Sequence, residues 1–192
     1  RAKDNGKVDK IPIDPRSLRP AKTNDKSTWS DFSTAVASAK TNGLGLGFVF
    51  AQSDRFVGID LDDCFEDGKP ERWAQDLVDQ LGSYSEITPS GKGLHIITMG
   101  ELTGKRRRKG PVEVYSTGRY FTVTGQSISV SNVAQNQDGI NDFYRTHFGE
   151  VEPVPKPEPM PTPTPTPTPT DNTILDGLKS IPAFERLFNG DM

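Results

Sequence analysis

Apolar residues recur along this chain with two different periods. Helical spacing appears in STWSDFSTAVASAK, where Trp29, Phe32, Val36 and Ala39 share one face and Ser27 or Thr28 can serve as the cap. A second helix is predicted over residues 70–81, burying Trp73, Leu77 and Leu81 and closed by Gly82. A third, over residues 140–148, uses Ile140, Phe143, Tyr144 and Phe148, with Gly149 as its stop. Alternating, strand-like stretches lie between them. GLGFVF (45–50) and FVGIDLD (56–62) are separated by AQSDR and read as a hairpin, and strands follow at residues 84–88 and from Leu94 in LHIITM. VEVY and RYFTVTG are predicted to fold back on each other at STG. Strands outnumber helices and include hairpins, which argues for an α+β domain and against a doubly wound α/β fold.

The two ends are of different character. Residues 1–25 are polar, hold three prolines in IPIDPRSLRPAKTND, and read as an extended arm. The expected catalytic-size domain spans residues 1–150. Beyond it, residues 151–172 alternate proline and threonine in PTPTPTPTPT, a composition that forms neither ladder nor helix and predicts an extended, semi-rigid spacer. Residues 173–192 regain helical spacing through Ile174, Leu178, Ile181, Phe184 and Phe188 but stop before a core could close. They are expected to begin a truncated helical module, so that the sequence is a piece of a longer protein.

Composition narrows the chemistry. With 23 Lys+Arg against 26 Asp+Glu the chain is not globally basic, so any nucleic-acid contact must rest on a local patch. A single cysteine, Cys64, excludes an internal disulfide and a cysteine-rich zinc site. No apolar run approaches the ~18 residues of a membrane span, and no signal-peptide pattern is present. A cytoplasmic location in a prokaryotic cell is expected.

Period 2 places Val57, Ile59 and Leu61 on one face of FVGIDLDDCFEDG and Phe56, Gly58, Asp60 and Asp62 on the other. Asp63, Glu66 and Asp67 fit a solvated turn. Asp60, inside the alternation, fits one poorly, because a charge there is costly without a cation or donor. Two carboxylates one strand repeat apart suit a hard divalent cation; an acidic strand end without a ligand is the alternative. TPSGKGLHI combines two turn glycines with Ser90, Lys92 and His95, a pattern suited to phosphate, or else an ordinary Gly-Lys-Gly hairpin. The GK[ST] ending of a P-loop is missing. Glu113 sits in mid-strand between Val112 and Val114, Arg119 and Tyr120 follow the STG turn, and GKRRRKG presents five consecutive cations, Lys105, Arg106, Arg107, Arg108 and Lys109. Such a run is a solvated loop, a phosphate-binding one, or both, and can supply charge without reading bases.

In order, an acidic pair, Ser-Gly-Lys-Gly-x-His, and a strand acid followed by Arg-Tyr-Phe resemble the archaeo-eukaryotic primase superfamily, specifically the primase-polymerase domains of phages, plasmids and related mobile elements. The resemblance spans residues 8–149 through IPIDPRSLRPAKTNDKSTW, GLGFVF, VGIDLDDC, YSEITPSGKGLHI and VEVYSTGRYFTVTG. It implies a catalytic core with an RRM-like mixed sheet and flanking helices. It also implies Asp60, Asp62 and Glu113 as ligands of two Mg2+ or Mn2+ ions, and Ser90, Lys92 and His95, with Arg119, as binders of the incoming triphosphate. The implied activity is DNA-templated nucleotidyl transfer that makes or extends primers on single-stranded template, with a helicase domain further along the full-length chain. Alternatives are a template-dependent polymerase without de novo priming, a catalytically inactive primase-fold DNA-binding module, and a metal-dependent nuclease, which has no need of the Ser90-to-His95 cradle.

Overall fold

The computed structural model describes residues 10–149. The spacer and the start of the helical module expected at 151–172 and 173–192 lie outside the described residues. Within them the fold is α+β, with three helices and nine strands. A one-turn 3-10 helix at Lys26–Thr28 precedes α1 (Phe32–Asn42), α2 is Arg72–Leu81 and α3 is Gln137–Phe148.

The caps explain where the helices start and stop. Asp31, and not Ser27 or Thr28, caps α1: its carboxylate accepts the Thr34 N–H at 2.9 Å. Trp29 therefore lies before α1, half-buried, with its indole N–H donated to the Lys22 carbonyl at 2.6 Å. Gly43 and Gly82 close α1 and α2 in the left-handed conformation that a residue with a Cβ adopts at a cost. Asn136 caps α3, which begins earlier than its apolar spacing suggests.

Five strands form the central sheet in the order β5 (Tyr84–Ile87), β6 (Leu94–Met99), β2 (Phe56–Leu61), β8 (Val112–Tyr115), β7 (Arg108–Lys109). Its pairings are all antiparallel, not mixed as expected. The crossover through α2 carries the chain from β2 to β5, which run the same way, but β6 lies between them. The acidic turn after β2 holds a two-residue hairpin, β3 (Phe65–Glu66) and β4 (Lys69–Pro70), whose corner Asp67-Gly68 has φ of 49° and 73°. That is the left-handed pair a tight antiparallel turn requires.

Neither expected hairpin around the site forms. β1 (Leu46–Phe50) does not pair with β2, and β9 (Arg119–Val123) does not pair with β8; they pair with each other, Leu46 opposite Val123 and Phe50 opposite Arg119. β2 is flanked by β6 and β8, and β8 by β2 and β7, so neither strand has a free edge for β1 or β9.

The β1–β9 ribbon instead lies across one face of the sheet. Val57, Ile59, Leu61, Leu94, Ile96, Val112 and Val114 face the other way, packing with Ala74, Leu77, Val78 and Leu81 of α2 and Ile140, Phe143 and Tyr144 of α3. On the ribbon side Tyr84, Ile97 and Tyr115 meet Phe50, Phe121, Leu46 and Val123, with Ala39 of α1. The result is three layers: helices, sheet, and ribbon with α1. Gly58 is what lets the ribbon settle. A Cβ there would lie 2.2 Å from Phe50 Cζ and 2.6 Å from Phe121 Cε2. Gly58→Ala is accordingly expected to cost about 1–3 kcal/mol by overpacking, read as a lowered midpoint in a denaturant melt. An unchanged midpoint would mean that the ribbon does not sit on Gly58. No helix among the described residues is long and apolar enough to cross a membrane.

Candidate active site

The strand register sets a row of ionisable side chains straight across the sheet. Glu86 pairs with His95, His95 with Asp60, Asp60 with Glu113, and Glu113 with Arg108, one from each of β5, β6, β2, β8 and β7. All five share the ribbon-side face, because residues directly opposite on paired strands point the same way and the strand neighbours of Asp60, His95 and Glu113 fill the helix-side core. The ribbon covers only part of this face. Beside it lies a cavity of about 410 Å³ lined by Asp60, His95, Glu113, Arg119, Tyr120 and Lys10, among others.

Each group in the row has a defined environment. The Asp60 side chain keeps a quarter of its exposure, and burial pushes its carboxyl up to about 6. His95 opposes that rise, while Asp62 and Glu113 add to it. His95 is buried, stacked on Phe121 at 4.3 Å between ring centres, with Nε2 at 3.9 Å from Asp60 Oδ1 and Nδ1 at 3.1 Å from Glu86 Oε1. Glu113 accepts the Tyr115 hydroxyl at 2.5 Å and pairs with the Arg108 guanidinium at 2.8 Å. Burial, then Glu113, pushes the Tyr115 phenol upward.

Asp62 lies just past the end of β2, half-exposed, with its N–H donated to the Pro111 carbonyl at 2.8 Å and its carboxylate 3.9 Å from Arg108. Arg108 thus stands between Glu113 and Asp62. Like charges directly opposite on neighbouring strands repel, and here the guanidinium offsets that repulsion at the Glu113 end. Among the described residues no three acidic, imidazole or thiol side chains converge closely enough to form a finished metal cage. The donors themselves, Asp60, Asp62 and the more covered Glu113, are carboxylates of the hard oxygen type that Mg2+ or Mn2+ takes, and each keeps part of its surface open.

The remaining sequence candidates fall in different places. Ser90 and Lys92 sit exposed in the turn between β5 and β6, outside the lining of the Asp60 cavity. Ser90 Oγ lies 2.9 Å from Thr88 Oγ1 and accepts the Lys92 N–H at 3.3 Å. The turn is bound to the acidic loop, since the Lys92 carbonyl accepts the Cys64 N–H at 2.9 Å and a Cβ on Gly93 would meet the Leu61 carbonyl at 2.5 Å. Arg119 borders the cavity with its guanidinium 4.8 Å above the Tyr115 ring.

The cationic run is not a uniform solvated loop. Arg106 is tethered to α3 through Tyr144, whose hydroxyl accepts the Arg106 N–H at 2.7 Å. Arg107 is half-buried and donates to the Gly104 carbonyl, and Arg108 and Lys109 form β7 at the sheet edge. Among the described residues, Lys105, Arg106 and Lys109 form no side-chain ion pair.

Sequence reasoning missed Glu86 and Lys10. Glu86 lies between Ser85 and Ile87, so the apolar alternation that singled out Glu113 is incomplete around it, and Lys10, on the arm, carries no signal. Tyr120, which follows the STG turn, lines the cavity and donates its hydroxyl to the Lys10 carbonyl at 2.7 Å.

No protein-family model matches the chain. Over 150 residues it is 37% identical to a protein of Nitratiruptor phage NrS-1 named DNA primase-polymerase. The alignment covers 73% of this chain and 20% of that protein, so the chain spans about a fifth of the relative's length. This similarity supports a primase-polymerase relationship.

Proposed function

From that relationship, we propose that the chain carries the catalytic domain of a DNA-templated nucleotidyltransferase that makes or extends primers in the replication of a mobile element. The observation that carries this reading is the row His95–Asp60–Glu113, aligned by register on one face and opening into a cavity rimmed by Lys10 and Arg119. A nuclease also uses clustered acids, but a triphosphate, which carries more negative charge than a phosphodiester, makes fuller use of the Lys10 and Arg119 cations that line the same cavity. An inactive DNA-binding module gains nothing from a buried carboxylate held out of its ordinary range.

Asp60, Asp62 and Glu113 would hold two divalent ions, Mg2+ or Mn2+, which supply activation of the primer 3′-hydroxyl and neutralise charge on the departing pyrophosphate. The chain's own residues do the rest. Tyr115 orients the Glu113 carboxylate, and the ribbon keeps bulk water off the inner side of Asp60. His95 Nε2, Arg119 and Lys10 present positive or donating groups to the triphosphate, with Ser90 and Lys92 reached where the ligand extends toward the β5–β6 turn. Arg108 neutralises the acids until the ions take that part over. A single-stranded template and primer lie against the basic edge, with a helicase domain downstream in the full-length protein, working in the host cytoplasm.

The test is incubation of the chain with single-stranded DNA template, Mn2+ or Mg2+ and labelled nucleotides, with and without a primer. Elongated product supports the reading, and product without primer adds de novo initiation. No incorporation under either condition overturns it.

The basic edge gives a separate prediction. Replacing Lys105, Arg106 and Lys109 together by Gln should weaken single-stranded DNA binding equally for all sequences. Each lost phosphate contact should flatten the log-log salt slope by about 0.7. Isotherms at several salt concentrations check this, and an unchanged slope would detach the run from DNA.

A further inference from the structure

Glu86 is fully buried, yet nothing in the proposed chemistry uses it. Its two oxygens are divided between two tasks. Oε2 accepts three donors, the Tyr84 hydroxyl at 2.7 Å, the Thr124 N–H at 3.0 Å and the Gly125 N–H at 2.8 Å. Thr124 and Gly125 directly follow β9, so this oxygen pins the ribbon to the sheet. That anchoring accounts for Oε2 alone. Oε1 is left for a single partner, His95 Nδ1 at 3.1 Å.

We propose that Glu86 is a positioning residue: it holds the His95 ring by Nδ1 and so presents Nε2 to the cavity shared with Asp60 and Glu113. The ring is fixed from two directions, by this hydrogen bond at one nitrogen and by the near-parallel Phe121 ring, 9° off, against its face. A half-turn of the ring about its Cβ–Cγ bond would put Cδ2 in place of Nδ1 against the Glu86 carboxylate and forfeit the bond, so the ring is held with Nε2 facing the cavity. A hydrogen bond to one imidazole nitrogen also decides which nitrogen carries the proton. Oε1 as acceptor keeps a proton on Nδ1. The consequence for nucleotide binding rests on the reading of His95 as a triphosphate contact; the consequence for the ring does not.

Glu86→Gln makes a directed test because the three donors on Oε2 orient the amide. Its oxygen must face Tyr84, Thr124 and Gly125, which turns its NH2 toward His95 Nδ1. That nitrogen must then accept, and its proton is lost. The chain has two histidines, so 15N-histidine spectra are simple. His147, whose Nδ1 lies 3.1 Å from the Phe143 carbonyl, is the internal reference and is assigned with His147→Gln. Expected are a protonated His95 Nδ1 in the unaltered chain and an unprotonated one in Glu86→Gln. An unprotonated Nδ1 in the unaltered chain overturns the proposal, a measurement that needs no variant to fold. So does a Nδ1 that stays protonated in Glu86→Gln.

A second arm measures apparent nucleotide affinity. A phosphate accepts from Nε2 only when that nitrogen carries a hydrogen as well as Nδ1, so the contact is that of a doubly protonated ring with the Glu86 carboxylate as its counter-charge. Glu86→Gln leaves a neutral ring and should weaken the affinity about tenfold, the step from a charge-assisted to a neutral hydrogen bond. In a His95→Ala background the same change should do nothing further. An equal loss in both backgrounds would mean that Glu86 acts only by pinning the ribbon, and overturns the proposal. Expected spectra together with unaltered affinity in His95→Ala would instead sink the triphosphate role of His95 while leaving the positioning intact.

Discussion

Asp60→Asn is expected to lower nucleotide incorporation on the order of a thousandfold or more, the effect of removing a central stabilising group at a reacting phosphate. The same change should make the ion-free protein more stable. Burial raises the Asp60 carboxyl from 3.8 to about 6, so the folded chain holds this proton more tightly than the unfolded chain. Below about pH 4 both states are protonated and the group costs nothing. Between about pH 4 and 6 the unfolded state gives up the proton first, so stability falls as pH rises, and above 6 the full penalty stands. At about 1.4 kcal/mol per pKa unit it is on the order of 3 kcal/mol. Asparagine carries no such charge, so its stability should be flat across that window and higher than the parent's at pH 7.5.

A divalent cation offsets most of that difference. Bound to the folded chain alone at a hundred times its dissociation constant, it adds about 2.7 kcal/mol. Mn2+ should therefore stabilise the parent and leave Asp60→Asn almost unmoved. Denaturant melts of both proteins at pH 4.5 and 7.5, with and without Mn2+, give the values needed. Equal stabilisation of both proteins by Mn2+ would remove Asp60 from the metal site, and retained incorporation by the variant would remove it from catalysis.

What could be read in advance divides along physical lines. Alternation in FVGIDLD states which side chains share a face, and it correctly separates Val57, Ile59 and Leu61 from Asp60. It says nothing about which strand lies alongside. The hairpin reading failed twice for that reason: short loops such as AQSDR and STG permit a hairpin but do not compel one, and β2 and β8 found better partners on both edges. Once the register is known, Glu86, His95, Asp60, Glu113 and Arg108 fall into line without further assumption. Glu86 stayed invisible because its partners, Tyr84, Thr124 and Gly125, include two residues nearly forty positions away. The cap of α1 was misplaced because Ser27, Thr28 and Asp31 are all acceptable caps, and only the turn at Lys26–Thr28 decides among them. The cationic run was readable as charge but not as structure, since the Tyr144 tether and the pairing of β7 come from distant sequence.

His95→Ala should raise the apparent KM for nucleotide about 10- to 150-fold, the equivalent of a charged hydrogen bond of roughly 1.5–3 kcal/mol, and change kcat less. The split follows from position: Nε2 faces the cavity 3.9 Å from Asp60, where it can touch a bound phosphate without entering the bond-making step. The substitution has a structural cost too, because it leaves Glu86 Oε1 without its partner and opens a void against Phe121. A bare loss of fold would lower the amount of active protein and so depress kcat, leaving KM where it was. Inorganic triphosphate offers a second readout, as it should compete with nucleotide on the parent and poorly on the variant. Lys92→Ala should act in the same direction but more weakly, since Lys92 is exposed in a turn and pays rotamer entropy to reach the ligand. Unchanged KM in His95→Ala, with kcat alone reduced, would assign the ring to holding the sheet and ribbon together and leave the triphosphate to Arg119 and Lys10.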